Sequence, residues 1–182
     1  MLLDEWRKFK GWAVLEFFLN NNRKIHIKAL ARELKISPRT AQIYLDLYQK
    51  NRILEKEKVG NLALYALSSN YLALEFKTVN LSILIQPYIM KFVQKNPDIS
   101  SLVLYGSGAS GEYDEKSDVD LLAISNKNIL NLEPLKELEK SIKKEVKIEI
   151  MRFANWKSLE SKSDDFYISV VKRHIVLFGA NI

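Results

Sequence analysis

The sequence contains no cysteine, and this absence excludes several kinds of chemistry. A disulfide framework, a thiolate metal site and a thiol nucleophile all require cysteine. Histidine is scarce as well: His26 and His174 lie far apart in the chain and without companions, so they do not suggest a catalytic pair. A chain without cysteine is consistent with a reducing compartment, and we expect a cytoplasmic protein.

Long apolar segments are also missing. No window approaches the roughly 18 uncharged apolar residues that a membrane helix needs. The amino-terminal stretch MLLDEWRKFKGWAVLEFFL includes Asp4, Glu5 and Glu16, which predict an amphipathic helix and not a signal peptide. Since internal repeats and low-complexity tracts are absent too, we expect the 182 residues to form a soluble globular protein without a membrane partner.

Positive charge is concentrated at the start of the chain. Residues 1–70 contain 13 Lys and Arg against 7 Asp and Glu, whereas residues 71–182 contain 15 of each. This asymmetry predicts two modules, the first of which faces a polyanion or another acidic surface. A solvated basic face with no partner would give the same pattern, so charge alone leaves both interpretations open.

The first module, residues 1–70, is predicted to contain three helices and a hairpin. Apolar periodicity predicts helices over about 3–19 and 26–34. Ser37 is a suitable N-cap and Pro38 stands at the first helical position, so a third helix begins there. Two short strands then flank a turn at Gly60.

This order of elements, in ALARELKISPRTAQIYLDLYQKNRILEKEKVGNLALYAL, resembles the winged helix-turn-helix family over about residues 3–68. The resemblance implies that the third helix enters the major groove of double-stranded DNA and that the wing touches the DNA backbone. It makes Arg39, Thr40 and Gln42 the predicted contacts with bases or phosphates, and Lys56 and Lys58 the predicted wing contacts.

Two residues of the third helix depart from that pattern. Ile43 and Leu47 form a second apolar stripe beside the core-facing one. Ile43 occupies a place where DNA-reading helices usually carry polar residues. A module that docks onto a protein, including a second copy of this chain, is therefore the alternative to DNA binding.

Residues 71–97 are predicted to form a connecting helix. Its segment VNLSILIQPYIMKFV is apolar nearly all round, which favours burial between the modules or in a homodimer interface. Pro87 is expected to kink this helix or divide it in two.

The last module, residues 98–182, alternates strands with helices and is predicted to be an α/β or α+β sheet domain. Within it, Asp118 and Asp120 open the strand DVDLLAI. Side chains two residues apart on a strand project from the same face, so these carboxylates are expected to lie together. Two neighbouring carboxylates repel each other unless a cation lies between them, and such oxygen ligands suit Mg²⁺. This interpretation requires the pair not to be occupied by a lysine ammonium group.

A glycine-containing turn precedes this acidic pair. Gly106 and Ser107 follow the strand SLVLY, and glycine lets the backbone approach a ligand closely while exposed N–H groups bind an anion. A phosphate-binding turn beside metal-binding carboxylates is the arrangement expected of phosphoryl or nucleotidyl transfer.

Gly106-Ser107, ten residues, then Asp118-Val119-Asp120 resembles the signature of the DNA polymerase beta nucleotidyltransferase superfamily, in particular its minimal nucleotidyltransferases. The similarity covers about residues 98–182. It implies a four-stranded mixed sheet flanked by helices, Mg²⁺ held by Asp118 and Asp120, and a nucleoside triphosphate such as ATP bound by Gly106 and Ser107. Gly108 and Ser110 of the same turn complete the predicted nucleotide-binding set.

The family's third carboxylate lies on a later strand, and the matching position is Glu149 in VKIEI. The family more often carries aspartate there, and Glu145 on the same face is the alternative. An exposed strand carboxylate beside Lys147, without a catalytic role, is the structural alternative for Glu149.

Ser110 is a second departure, because minimal members commonly carry arginine at this position. Lys116, or a residue from another subunit, is the proposed replacement for that cation. The resemblance thus implies Mg²⁺-dependent transfer of a nucleoside monophosphate to an unknown acceptor, for which a protein is one candidate. It makes Asp118, Asp120 and Glu149 the catalytic residues and also the metal ligands. The alternative is a DNA-binding regulator whose nucleotidyltransferase-like domain senses nucleotide without robust catalysis.

Overall fold

The structure is a computed structural model that describes residues 2–182, without the side chain of Leu3. The predicted first domain begins at Met1, which lies outside the described residues. The chain divides into two compact units, with the boundary between Asn80 and Leu81. None of the helices described is long and apolar enough to cross a membrane.

The first unit combines short helices with a three-stranded antiparallel sheet of order β1-β3-β2. The elements in chain order are α1 (Leu2–Arg7), α2 (Lys10–Asn20), β1 (Ile25–His26), α3 (Ile27–Glu33), α4 (Pro38–Lys50), β2 (Leu54–Val59) and β3 (Leu62–Leu67). Helix α4 begins as expected, since the Ser37 side chain accepts a hydrogen bond from the Thr40 N–H and Pro38 opens the helix. Strands β2 and β3 pair around Gly60, which has a positive φ of 59°.

The single helix predicted over 3–19 is wrong, because α1 and α2 are separate. Residues nine apart in a continuous helix are separated by about 13.5 Å along its axis. The interruption instead lets Arg7 Nε donate to Glu16 Oε2 at 2.8 Å. It also lets Trp6 pack edge-on against Trp12, with 4.7 Å between ring centroids. These contacts across the turn favour two helices over one.

Helix α5 (Tyr71–Lys95) is continuous through Pro87, so a division of the helix at that residue does not occur. The boundary between the two compact units falls within this helix. In the second unit, Ile85, Ile89 and Phe92 of α5 are fully buried in the apolar core. Because these residues are four and three positions apart, they lie on one face of the helix, and this face is the one buried in the core.

The second unit is a four-stranded mixed sheet with helices on both faces, as predicted. Its elements are β4 (Ile99–Tyr105), α6 (Gly106–Ser110), β5 (Val119–Ser125), α7 (Glu133–Ile142), β6 (Val146–Met151), α8 (Phe153–Ser161), α9 (Asp165–Lys172) and β7 (Ile175–Gly179). The strand order is β6-β5-β4-β7, with β5 and β6 parallel and the other pairs antiparallel. Helices α6 and α8 and strand β1 were not predicted from the sequence.

Alternation along β5 determines which side chains each face receives. Val119, Leu121 and Ala123 join the core that includes α5, whereas Leu122 and Ile124 pack with Trp156 on the α8 and α9 side. Because successive strand residues point to opposite faces, Asp120 shares its face with Leu122. The start of β5 therefore places the carboxylate of Asp120 on a face of the sheet that is otherwise apolar.

Candidate functional site

Gly106 lies at the end of β4 and contacts the carboxylate of the neighbouring strand. Its φ is +65°, a conformation that side chains other than glycine rarely adopt. A Cβ atom at this position would lie 2.8 Å from Asp120 Oδ2. Glycine is thus required twice here, for the backbone conformation and for the close approach of the chain to Asp120.

Asp120 is half-buried, directly across from Tyr105 in the antiparallel pair of β4 and β5. Burial, followed by the negative charge of Asp118, raises the pKa of Asp120, and the ammonium group of Lys147 partly opposes this. The charge of Asp118 acts on Asp120 because the two carboxylates are neighbours at the entrance of β5. Such a pair is stabilised by any cation that approaches it.

A lysine of the adjacent strand supplies such a cation. Lys147 Nζ lies 2.6 Å from Asp118 Oδ2, and both side chains are partly exposed. The parallel register places Lys147 directly beside Asp120. The expectation that no lysine would occupy the carboxylate pair is therefore wrong for Asp118. The physical reason is the period of two along β6, which turns Lys147 to the same face as Glu149.

Glu149 shares a face with Asp120 but lies further along the sheet. It pairs with Leu122, two residues beyond the position opposite Asp120, and its side chain is exposed. Its charge reaches Tyr105, whose pKa is raised to about 12 by burial and then by the charges of Asp120 and Glu149. Glu145 precedes β6, and its backbone carbonyl accepts the Val119 N–H at 2.9 Å. Either glutamate stays a prediction as the third carboxylate.

The carboxylates fit a divalent cation that is shared with another ligand. The ammonium group of Lys147 occupies Asp118 Oδ2, so the requirement of an unoccupied pair is not met, and a cation binds there only in place of that partly exposed side chain. Carboxylate oxygens are the ligands that Mg²⁺ prefers. Among the residues described, no group of three or more His, Cys, Asp or Glu side chains is arranged to hold a metal ion. The donor set therefore suits an ion that phosphate oxygens help to coordinate, and not a metal held by protein ligands alone.

The predicted nucleotide-binding residues of α6 have different surroundings. Ser107 is half-buried beside Gly106, whereas Gly108 is buried with its Cα facing Leu104 and Leu81, so its small size serves packing. Ser110 Oγ donates to Glu112 Oε2 at 2.9 Å. A carboxylate thus lies at the position where a cation was expected.

Lys116 lies in the exposed loop between α6 and β5. The Ser117 hydroxyl donates to Asp114 Oδ1, as do the backbone N–H groups of Lys116 and Ser117, and these bonds lower the pKa of Asp114. Lys144 Nζ donates to the carbonyls of Asp114 and Ser117 from the other side. The loop that carries Lys116 is therefore held in a defined turn next to Asp118.

Three residues near this site were not singled out from the sequence. Tyr105 packs edge-on against Phe166 and lies beside Asp120, and Arg173 Nε donates to the Ala109 carbonyl of α6 at 3.0 Å. Lys147 was noted only as a neighbour of Glu149. The alternating pattern of VKIEI carries a usable signal, because it puts Lys147 on the face assigned to Glu149.

The predicted DNA-binding residues lie on α4 and β2 of the first unit. Arg39 and Lys58 are exposed, and Thr40 bonds to the Ser37 cap at 2.8 Å between hydroxyl oxygens. Gln42 Nε2 donates to Asp46 Oδ1 at 2.6 Å. Lys56 Nζ lies 5.5 Å from the ring centroid of Tyr65, to which Gln42 also extends. Gln42 and Lys56 therefore meet at Tyr65, and Asp46 adds a negative charge beside Gln42.

The second apolar stripe of α4 is exposed, as the sequence predicted. Ile43 is 56% exposed and Leu47 is 48% exposed, while Ala41 and Leu45 are fully buried. An isolated exposed apolar residue is ordinary on a protein surface, but two at adjacent turns of one helix form a small patch. This patch keeps protein docking open as the alternative to DNA binding.

Comparison with known proteins places the second unit in a family. The polymerase beta nucleotidyltransferase family model matches residues 88–181, which is more than half of the chain. No curated protein sequence matches the chain.

Solved structures to which the chain is similar include a toxin–antitoxin complex with AMP-PNP, at 22% identity and a TM-score of 0.39 over 53% of this chain and 74% of that chain. A mutant of the MntA–HpeT toxin–antitoxin gives 18% identity and a TM-score of 0.38 over the same shares of the two chains. A candidate nucleotidyltransferase from Sulfolobus solfataricus gives 15% identity and a TM-score of 0.35 over 57% of this chain and 85% of that chain. Because the family model matches more than half of the chain, this protein belongs to the polymerase beta nucleotidyltransferase family.

Proposed function

We propose that the protein is a Mg²⁺-dependent nucleotidyltransferase that moves a nucleoside monophosphate from a nucleoside triphosphate to an acceptor hydroxyl. The observation that carries this proposal is the contact between Gly106 and Asp120. The φ of Gly106 is +65°, and a Cβ atom there would lie 2.8 Å from Asp120 Oδ2, so any larger residue has to displace this carboxylate. A backbone turn held so close to an acidic pair supports a site where a triphosphate and a cation meet.

In this proposal Asp118 and Asp120 hold the cation together with phosphate oxygens. When bound, Mg²⁺ neutralises charge on the leaving pyrophosphate and lowers the pKa of an acceptor hydroxyl. Gly106 and Ser107 bind and orient the triphosphate through their backbone. Lys116, on its fixed loop, contributes positive charge in place of the arginine that Ser110 replaces.

Glu149 accepts the proton of the acceptor hydroxyl. The acceptor oxygen forms a bond to the α-phosphorus, the bond from that phosphorus to the bridging oxygen breaks, and pyrophosphate leaves. Glu149 is exposed on the same face as Asp120, which supports this role, since an acceptor from solvent can reach it. Glu145 takes the same role if Glu149→Gln retains transfer.

Transfer of label from each of the four α-³²P nucleoside triphosphates to cell extract, with Mg²⁺, tests the proposal. We expect labelled product from the wild type and a loss of at least about 100-fold from Asp120→Asn, because removing one preorganised charge at a reaction centre costs that much. Asp98→Asn is the matched control: Asp98 pairs with Lys127 at 2.7 Å, in the same unit and outside the site. Equal labelling by wild type and Asp120→Asn would sink the proposal.

We further propose that the first unit is a winged-helix module that brings the site to double-stranded DNA. Exposed cationic side chains, Arg39 on α4 and Lys56 and Lys58 two residues apart on β2, support a surface that contacts phosphates. Binding should weaken steeply with salt, and Lys56→Ala with Lys58→Ala should lower the slope of log affinity against log salt by about two. Lys10→Ala, exposed on α2, is the control. If the double variant and the control retain DNA equally, the exposed Ile43 and Leu47 make a protein partner, including a second copy, the better assignment.

A second candidate function is a regulator that senses nucleotide without robust catalysis. The hydrogen bond from Ser110 to Glu112 favours it, because this carboxylate repels phosphate where the family commonly has a cation. DNA affinity that changes on addition of Mg²⁺ and a triphosphate, with no label transferred, would favour the regulator over the enzyme.

A further inference from the structure

Lys147 of β6 forms an ion pair with Asp118, the residue that precedes β5, through a side chain that is largely in solvent. Its ammonium group lies 2.6 Å from Asp118 Oδ2, and its side chain is 54% exposed. The hydrogen bond and charge of Asp118 raise the pKa of Lys147, followed by the charges of Glu145 and Asp120. Three carboxylates therefore act on this ammonium group.

The strand register keeps Lys147 at this position. It lies directly beside Asp120 in the parallel pair of β5 and β6, and the Val119 N–H bonds to the Glu145 carbonyl just before that pair. A shift by one residue would turn the half-buried Ile148 to the Lys147 face. The backbone of Lys147 is thus fixed by the strand register, and the ammonium group moves only by rotation about the bonds of its side chain.

We infer that Lys147 is an internal counter-ion that a divalent cation must displace from Asp118, so that this lysine sets the affinity of the site for the cation. The inference rests on the proposed function, since it takes Asp118 and Asp120 as the cation ligands. A single positive charge on a flexible side chain neutralises one of the two carboxylates, Asp118, when no metal is bound. The displaced ammonium group returns to water, which its exposed position allows.

The consequence is a site tuned to low affinity for the free ion. A Mg²⁺ ion that arrives with a triphosphate brings additional oxygen ligands, while the free ion must compete with Lys147 using two carboxylates alone. Removing the lysine charge should therefore strengthen binding of the metal by itself. A substitution beside a binding site usually weakens binding, whereas this one is expected to strengthen the binding of the metal ion.

Mn²⁺ binding, measured from the loss of the free-ion EPR signal, tests the inference without reference to catalysis. We expect Lys147→Gln to bind Mn²⁺ about two- to fivefold more tightly than wild type at low salt, the range that a partly exposed ion pair gives. Lys127→Gln is the matched control, since Lys127 pairs with Asp98 at 2.7 Å with similar exposure. Lys147→Arg retains the charge and should stay within twofold of wild type.

Equal or weaker Mn²⁺ binding by Lys147→Gln would overturn the inference while leaving the proposed metal site intact. The same tightening in Lys127→Gln or Lys147→Arg would also overturn it, because the effect would not then depend on the Lys147 charge. If neither wild type nor Lys147→Gln binds Mn²⁺ more tightly than the Asp118→Asn, Asp120→Asn double variant does, the proposed function fails together with the inference.

Discussion

At Asp120, burial and the charge of Asp118 act in the same direction on one carboxyl group. Both raise its pKa above the ordinary 3.8. The folded state therefore binds this proton more tightly than the unfolded state, so folding is favoured at low pH and stability is lost as the pH rises through the raised pKa. At neutral pH the metal-free protein carries a carboxylate that the fold disfavours.

Asp120→Asn should accordingly stabilise the metal-free protein at neutral pH. The gain should be no more than about 1 kcal/mol, since solvent screens a partly exposed group. It should grow as the pH rises from about 4 through the raised pKa and then level off. Thermal unfolding in EDTA across pH 4–8, for wild type and variant, measures this difference. A variant that is less stable than wild type throughout this range would contradict the assigned cause of the pKa shift.

Gly106 is the second residue whose environment makes a definite prediction. Gly106→Ala must place a side chain at φ +65° and a Cβ atom 2.8 Å from Asp120 Oδ2. We expect a loss of about 1–2 kcal/mol from the backbone conformation, and more from displacement of the carboxylate. Urea unfolding is the measurement. Gly60→Ala is the control. Gly60 has φ +59° and nothing within 4 Å of an added Cβ, so this variant should lose only the unfolding free energy that the backbone conformation costs. Equal losses in both variants would argue against a tight contact with Asp120.

At the scale of elements, the turn between α1 and α2 is stabilised by a buried carboxylate. The Glu16 side chain is only 8% exposed and bonds to Arg7, whose side chain is 46% exposed. The hydrogen bond to Glu16 raises the pKa of Arg7. Sequence periodicity could not find this interruption, because Trp6, Phe9 and Ala13 match one continuous helix and the competing contacts are tertiary.

Arg7→Ala should therefore cost about 1–3 kcal/mol in unfolding free energy, because it leaves a buried charge without its partner. Lys8→Ala removes an exposed pair with Glu5 and should change stability by less than about 0.5 kcal/mol. Adding Glu16→Gln to Arg7→Ala should recover part of the loss. Chemical denaturation of wild type, the two single variants and the double variant measures these differences in unfolding free energy. Similar losses in Arg7→Ala and Lys8→Ala would contradict the prediction.

At the scale of the whole molecule, the sequence predicted local structure better than side-chain partners. The start of α4 followed from Ser37 and Pro38, and the four-stranded mixed sheet followed from the resemblance around Gly106 and Asp118. Strand register is not visible in one sequence, so the contact between Lys147 and Asp118 was missed. Of the two outcomes expected at Pro87, division of α5 does not occur, because burial of its apolar face outweighs the hydrogen bond that proline removes.

The most direct test of the central claim is calorimetric titration with each nucleoside triphosphate in the presence and absence of Mg²⁺. We expect wild-type protein to bind at least one triphosphate in a Mg²⁺-dependent manner. Asp118→Asn with Asp120→Asn should abolish this binding while the circular dichroism spectrum stays unchanged. Binding of equal strength by the folded double variant, or no binding of any triphosphate by the wild type, would contradict the claim that this acidic pair beside Gly106 is a metal–nucleotide site.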